Sequence, residues 1–153
     1  MPMLRFAGLT FAVAAFAGPL IRLVTWPPSR FERMTSTGVE RFVYDLVFYL
    51  WPTQLLCLAE PSKGSSTVVL LSVLGNVLLF GLLGFAVGAG ADRRGVVPLT
   101  YLAVCGLLVL FALWEGGFGP EHVSWLPLVS AMSLYAIPFW LIARAAARPG
   151  IPS

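Results

Sequence analysis

The sequence predicts an all-α protein, a polytopic bundle of helices that crosses a membrane, on three observations. Of the 153 residues, 58% are hydrophobic. Only 11% are charged, which is too few to cover a surface in water, because soluble domains carry about 25%. The apolar residues also form long runs, and about 20 such residues make a helix that crosses the hydrocarbon of a bilayer. We treat residues 1–153 as a single transmembrane domain.

Four runs are long enough to cross. Residues 67–91, 96–114 and 123–143 contain no charge at all. The run 6–26 contains Pro19, where we expect a kink or a helix end, because proline lacks an N–H group. Residues 1–17 also resemble a cleaved signal peptide, but the apolar run continues beyond them and favours a retained span.

The segment 42–59 is ambiguous because it is mostly apolar but contains Asp45, Pro52 and Gln54. A capping box over residues 37–40 predicts a helix that begins near Gly38. Pro52 should then kink or split this helix. The segment could span the membrane, lie in its interface, or dip in and return.

Basic residues help to choose, because cytoplasmic loops collect Lys and Arg. If 42–59 spans, five helices place eight basic residues inside and two outside. If it does not, four helices place five on each side. The sequence therefore favours five spans. Both arrangements put the C-terminus and the turn 92–95 in the cytoplasm, and nine arginines against one lysine suggest a bacterial inner (cytoplasmic) membrane.

The run 67–91 carries a face suited to close helix packing. Asn76, Phe80, Gly84 and Gly88 recur at every fourth residue, and Gly81 lies on nearly the same face. Small residues let helix backbones approach each other in lipid, and a buried amide adds a hydrogen bond. The face could pack inside the bundle or against another protein subunit.

Asp45, Gln54 and Asn76 form a possible intramembrane polar site. An acidic residue at membrane depth suggests proton or ion transfer. Arg41 precedes Asp45 by four residues, however, and a pair on one helical face explains the carboxylate without transport.

Candidate catalytic groups are scarce. The sequence contains no P-loop, no GxSxG motif and no HExxH motif, and His122 is the only histidine. It follows Glu121 in an outer loop, where Glu115 could complete a weak metal site, although solvated loop charges explain them equally. Cys57 and Cys105 lie in apolar runs and predict neither a disulfide nor a zinc site. We expect no enzyme, cofactor or metal, and a net charge of only +3 gives no reason to expect nucleic acid.

The tetrapeptide Leu50-Trp51-Pro52-Thr53, followed by Asn76 and Gly84, resembles a pattern in small bacterial membrane proteins that carries no assigned activity. The resemblance covers about residues 45–85 and implies a membrane location only. We expect a non-catalytic accessory or assembly subunit of a larger complex, or a homo-oligomer. The alternative is a small transporter or ion-conducting protein that uses the break at Pro52.

Overall fold

A computed structural model describes residues 2–25, 38–54, 66–91, 93, 95–115, 117 and 120–147. These residues form helices and turns without any strand, which confirms the all-α prediction. The helices are α1 Pro2–Ala14, α2 Ala17–Thr25, α3 Gly38–Leu50, α4 Ser66–Gly90, α5 Val96–Glu115 and α6 Trp125–Ala146, with short 3-10 turns at Pro52–Gln54 and Pro120–His122.

Four stretches of the described chain are long and apolar enough to cross a membrane. They are Met3–Thr25, Thr67–Gly90, Val96–Trp114 and Trp125–Ala146. They agree with the four runs that the sequence predicts as long enough to cross, including 6–26. The protein therefore has the helices of a membrane protein.

The first of these stretches is broken. A turn at Ala15 and Phe16 separates α1 from α2. We expected the interruption at Pro19, and it lies about one helical turn earlier. Proline has no N–H group to bond the carbonyl four residues earlier, and its ring crowds that carbonyl. Pro19 itself sits in the first turn of α2, where a missing N–H group is tolerated.

Helices α1 and α4 are antiparallel and lie in backbone contact. A Cβ added at Gly84 would lie 2.5 Å from the carbonyl oxygen of Ala7, and one at Gly88 would lie 3.1 Å from the Cα of Leu4. Gly84 and Gly88 therefore pack inside the chain, whereas a Cβ at Gly81 would meet nothing within 4 Å. Helix α1 covers Gly84 and Gly88 of the predicted glycine face, and Gly81 is not part of this contact.

Helix α6 completes the core by packing against both α1 and α4. Phe11 meets Phe139 edge to face, with ring centroids 4.9 Å apart, and Phe80 stacks on Tyr135 at 5.4 Å. These contacts make α6 parallel to α4. The Met3 end of α1 therefore lies at the same end of the bundle as Gly88 and the C-terminal end of α6.

Helix α5 lies at the edge of the bundle. Its clearest polar contact is a hydrogen bond from the hydroxyl of Tyr101 to the carbonyl oxygen of Met132, at 3.1 Å. Fewer of its residues are buried than in any of the other three long stretches. Its outer face is therefore covered by lipid or by another protein.

The described part of helix α3, Gly38–Leu50, has 13 residues. At a rise of about 1.5 Å per residue this part is near 20 Å long, which is shorter than about 30 Å of hydrocarbon. Thr37 of the predicted capping box lies outside the described residues. The end of α3 packs on the start of α2, where a Cβ at Gly18 would lie 3.0 Å from the carbonyl carbon of Leu50. Residues 55–59 of the ambiguous segment lie outside the described residues.

The backbone contact between α1 and α4 gives a first prediction. Gly84→Ala should force the helices apart and lower the free energy of unfolding by about 1–3 kcal/mol, the usual cost of overpacking. The measurement is thermal unfolding in detergent. Gly81→Ala is the matched control on the same helix and should be neutral or slightly stabilising, since alanine favours helix. Equal melting temperatures for the two variants would contradict the packing.

Candidate functional site

The candidate site is a buried group of polar atoms where the two interrupted segments meet α4. We call it the polar joint, and it consists of Ala15, Leu50, Thr53, Ser72 and Asn76. It combines a turn between α1 and α2, the end of α3 with its following turn, and one face of α4. Ser72 and Asn76 are fully buried and lie one helical turn apart.

Asn76 is the centre of the polar joint. Its Nδ2 donates a hydrogen bond to the carbonyl oxygen of Ala15 at 2.8 Å and lies 3.5 Å from that of Leu50. Ala15 is four residues before Pro19, so its carbonyl is the one that proline leaves without a helical donor. In hydrocarbon an unsatisfied backbone group costs several kcal/mol. The Asn76 amide supplies the missing donor.

Thr53 and Ser72 hold the turn after α3 against α4. The hydroxyl of Thr53 donates to the carbonyl oxygen of Ser72 at 2.7 Å, and the hydroxyl of Ser72 donates to the carbonyl oxygen of Thr53 at 2.6 Å. The Thr53 hydroxyl also lies 3.5 Å from Oδ1 of Asn76. This reciprocal pair fixes the turn at the depth where α1 breaks.

The end of α3 is also tied to α6. The hydroxyl of Tyr135 donates to the carbonyl oxygen of Tyr49 at 2.8 Å, and both side chains are buried. Helix ends leave their last carbonyls without intrahelical donors. Tyr135 and Asn76 therefore satisfy two successive carbonyls at the end of α3.

Trp51 lies next to the polar joint and packs against Gly18 of α2. Its indole is buried, and the guanidinium carbon of Arg22 lies 5.5 Å from the ring centroid. This is a cation–π distance, so Arg22 is packed against the α3 end as well as being near the end of its own span. Within the described residues, Nε1 of Trp51 has no hydrogen-bond partner.

The structure describes the side chains of two of the three residues predicted as an intramembrane polar site. Asn76 is in the polar joint. Asp45 precedes Leu50 by more than one turn of α3. Its Oδ2 is 3.9 Å from Nε of the exposed Arg41, as their spacing predicts. Gln54 ends the turn at Pro52–Gln54, and its side chain lies outside the described part of the structure.

Sequence reasoning did not identify Ala15, Ser72 or Tyr135 as partners. Two signals were present, since Ala15 lies four residues before Pro19 and Ser72 four residues before Asn76. The contact between Thr53 and Ser72, 19 residues apart, follows no such spacing. Thr53 and Leu50 belong to the tetrapeptide that suggested the resemblance, and both approach Asn76.

Other candidate groups give no second site. In the described ranges no three His, Cys, Asp or Glu side chains come together as metal ligands. The side chains of Glu115 and His122 lie outside those ranges. Cys105 is partly buried on α5 with a free thiol, and Cys57 falls in an undescribed stretch.

Comparison of the chain with protein-family models, with curated proteins and with solved structures gives no match. The geometry alone therefore indicates what the polar joint can do. The hydrogen-bond donors of the polar joint are paired with backbone carbonyls of the same chain. The polar joint therefore holds the two helix breaks together.

The link between Asn76 and Pro19 predicts energetic coupling. Asn76→Leu should lower the free energy of unfolding by about 1–3 kcal/mol, because the carbonyl of Ala15 is left buried without a donor. Pro19→Ala restores an N–H group that can bond this carbonyl. The cost of Asn76→Leu should therefore be smaller in the Pro19→Ala background, as measured by a double-mutant cycle of unfolding in detergent.

Ser133→Ala is the control for this cycle, because its hydroxyl is exposed and bonds only Val129 of its own helix. It should change stability by less than about 0.5 kcal/mol. Strict additivity of Asn76→Leu and Pro19→Ala would show that the amide does not replace the bond lost at proline.

Proposed function

We propose that the chain crosses the membrane four times, with α3 as a half-span that enters and returns. The antiparallel packing of α1 on α4 supports this, since it brings the N-terminal residues to the end that also holds the C-terminal end of α6. The basic residues, five on each side in this arrangement, show no bias toward either side and favour five spans when taken alone. We further propose that this shared end faces the cytoplasm, in an inner membrane.

Cysteine accessibility in cells tests this topology. In a chain with Cys57 and Cys105 replaced by alanine, single cysteines at Gly38 and Gly95, both exposed, should react with an impermeant maleimide from opposite sides. A cysteine at Arg5 should behave like the one at Gly95. Labelling of the Gly38 position from the same side as Gly95, with the Arg5 position labelled from the opposite side, would instead support five spans.

We propose that the protein is a non-catalytic accessory or assembly subunit, and α5 is the observation that carries the proposal. This helix is held mainly by α6 and leaves much of its surface uncovered. At Gly106 a Cβ would meet nothing within 4 Å, so a partner helix could approach the backbone closely. Leu102 and Leu110, one turn on either side, are more than 60% exposed.

The glycines of α4 are less suitable for a partner. Gly84 and Gly88 are already covered by α1, so a substitution there would disturb the fold before it disturbed an interface. The proposed contact with another subunit therefore lies on α5, away from the face that the sequence suggested.

A small transporter or ion-conducting protein is the second proposal. It is supported by two interrupted segments whose backbone carbonyls meet within the bundle, as they do in transporter sites built from discontinuous helices. Conduction would require the amide of Asn76 to leave the carbonyl of Ala15. Flux into liposomes should then depend on Asn76. Equal flux in the natural chain and in Asn76→Leu would count against this function.

The accessory proposal predicts a partner that depends on α5. Gly106→Leu should release proteins that co-purify with the natural chain in mild detergent, because the added side chain fills the gap. Gly81→Leu is the control, an equally open glycine on α4, and should retain them. The measurement is quantitative mass spectrometry of the purified complexes. Recovery of the natural chain alone, or equal recovery of partners with both variants, would contradict the proposal.

A further inference from the structure

One end of the bundle carries exposed arginines on three separate elements. Arg5 lies on α1, Arg93 lies in the turn between α4 and α5, and Arg144 lies in the last turn of α6; all three are exposed. They share this end because α1 is antiparallel to α4 and α6 is parallel to it.

The charge of the chain is divided unevenly. In the sequence, residues 1–6, 92–95 and 144–153, which contain Arg5, Arg93 and Arg144, hold five arginines and one acidic residue, for a net charge of 5 − 1 = +4. The rest of the chain contains the other five basic and six acidic residues, for a net charge of 5 − 6 = −1. The two values add to the net charge of +3 for the whole chain.

Arg5 and Arg144 lie near the ends of two of the long apolar stretches. Leu4, next to Arg5, is level with Gly88, near the end of α4, so an extended Arg5 side chain can reach the headgroups. The guanidinium carbon of Arg144 lies 5.1 Å from the ring centroid of Trp140, whose indole is itself half-exposed. Tryptophan favours the headgroup level of a bilayer, and the stacking keeps this guanidinium near its ring.

We propose that this end binds the headgroups of anionic phospholipids through Arg5, Arg93 and Arg144. A guanidinium fits phosphate with two parallel hydrogen bonds, and basic residues close to a membrane are attracted by its anionic lipids. The three arginines are exposed and lie on different elements, and Arg5 and Arg144 lie near the ends of apolar stretches. Lipid headgroups lie at that level of a membrane-spanning helix, which favours them as the occupant over a single acidic protein.

Lipid-dependent stability tests the proposal. The full chain is placed in nanodiscs of phosphatidylcholine with and without phosphatidylglycerol, and its melting temperature is measured. Phosphatidylglycerol should raise the melting temperature by several degrees, and the rise should shrink at high salt, which screens exposed charges. Replacing all three arginines by glutamine should remove most of the rise.

Arg41→Gln is the matched control, since Arg41 is an exposed arginine on α3 with its partner Asp45. Its basal melting temperature can change, but the rise with phosphatidylglycerol should remain. Arg144→Gln alone should give a partial loss, which keeps the test informative if the triple variant folds poorly. An equal rise in the triple variant, no rise in the natural chain, or an equal rise on adding polyglutamate to phosphatidylcholine discs would overturn the proposal.

Discussion

The structure depends on one hydrogen bond, from the side-chain amide of Asn76 to the carbonyl oxygen of Ala15. Pro19 removes the helical donor for that carbonyl, and lipid offers no water to replace it. The amide must therefore come from another helix at the same depth. Because Asn76 also reaches Leu50, the same side chain holds the break in the first span and the end of α3 together.

The glycines of α4 make this hydrogen bond possible. With Gly84 and Gly88 against its backbone, α1 lies close to α4 along one face, and Asn76 continues that face beyond Gly84 by two turns. A larger residue at Gly84 would move α1 outward and take Ala15 away from the amide. The packing face and the polar joint are therefore one continuous contact, in which close approach at one end positions the donor at the other.

The sequence predicted the long apolar helices well, because crossing a membrane requires a length and composition that can be read directly. It predicted Asn76 as a buried amide and the pairing of Arg41 with Asp45 from helical spacing. It did not predict that Thr53 bonds Ser72, since a turn that returns to the next helix leaves no periodic signal. The count of basic residues predicts five spans from loop charge alone. The packing of α1 on α4, a tertiary constraint that this count does not contain, supports the four spans that we propose.

The hydrogen bonds within the polar joint favour a structural role for its atoms over ion binding. A cation in this position would need several oxygen ligands, and the carbonyls of Ala15 and Leu50 are the nearest candidates. Nδ2 of Asn76 already faces both, and the Thr53 and Ser72 hydroxyls are directed at each other's carbonyls. Binding an ion would break the contacts that hold the two interrupted segments together. Surfaces that are not used by the fold, the outer face of α5 and the arginine-rich end, can meet partners without that loss.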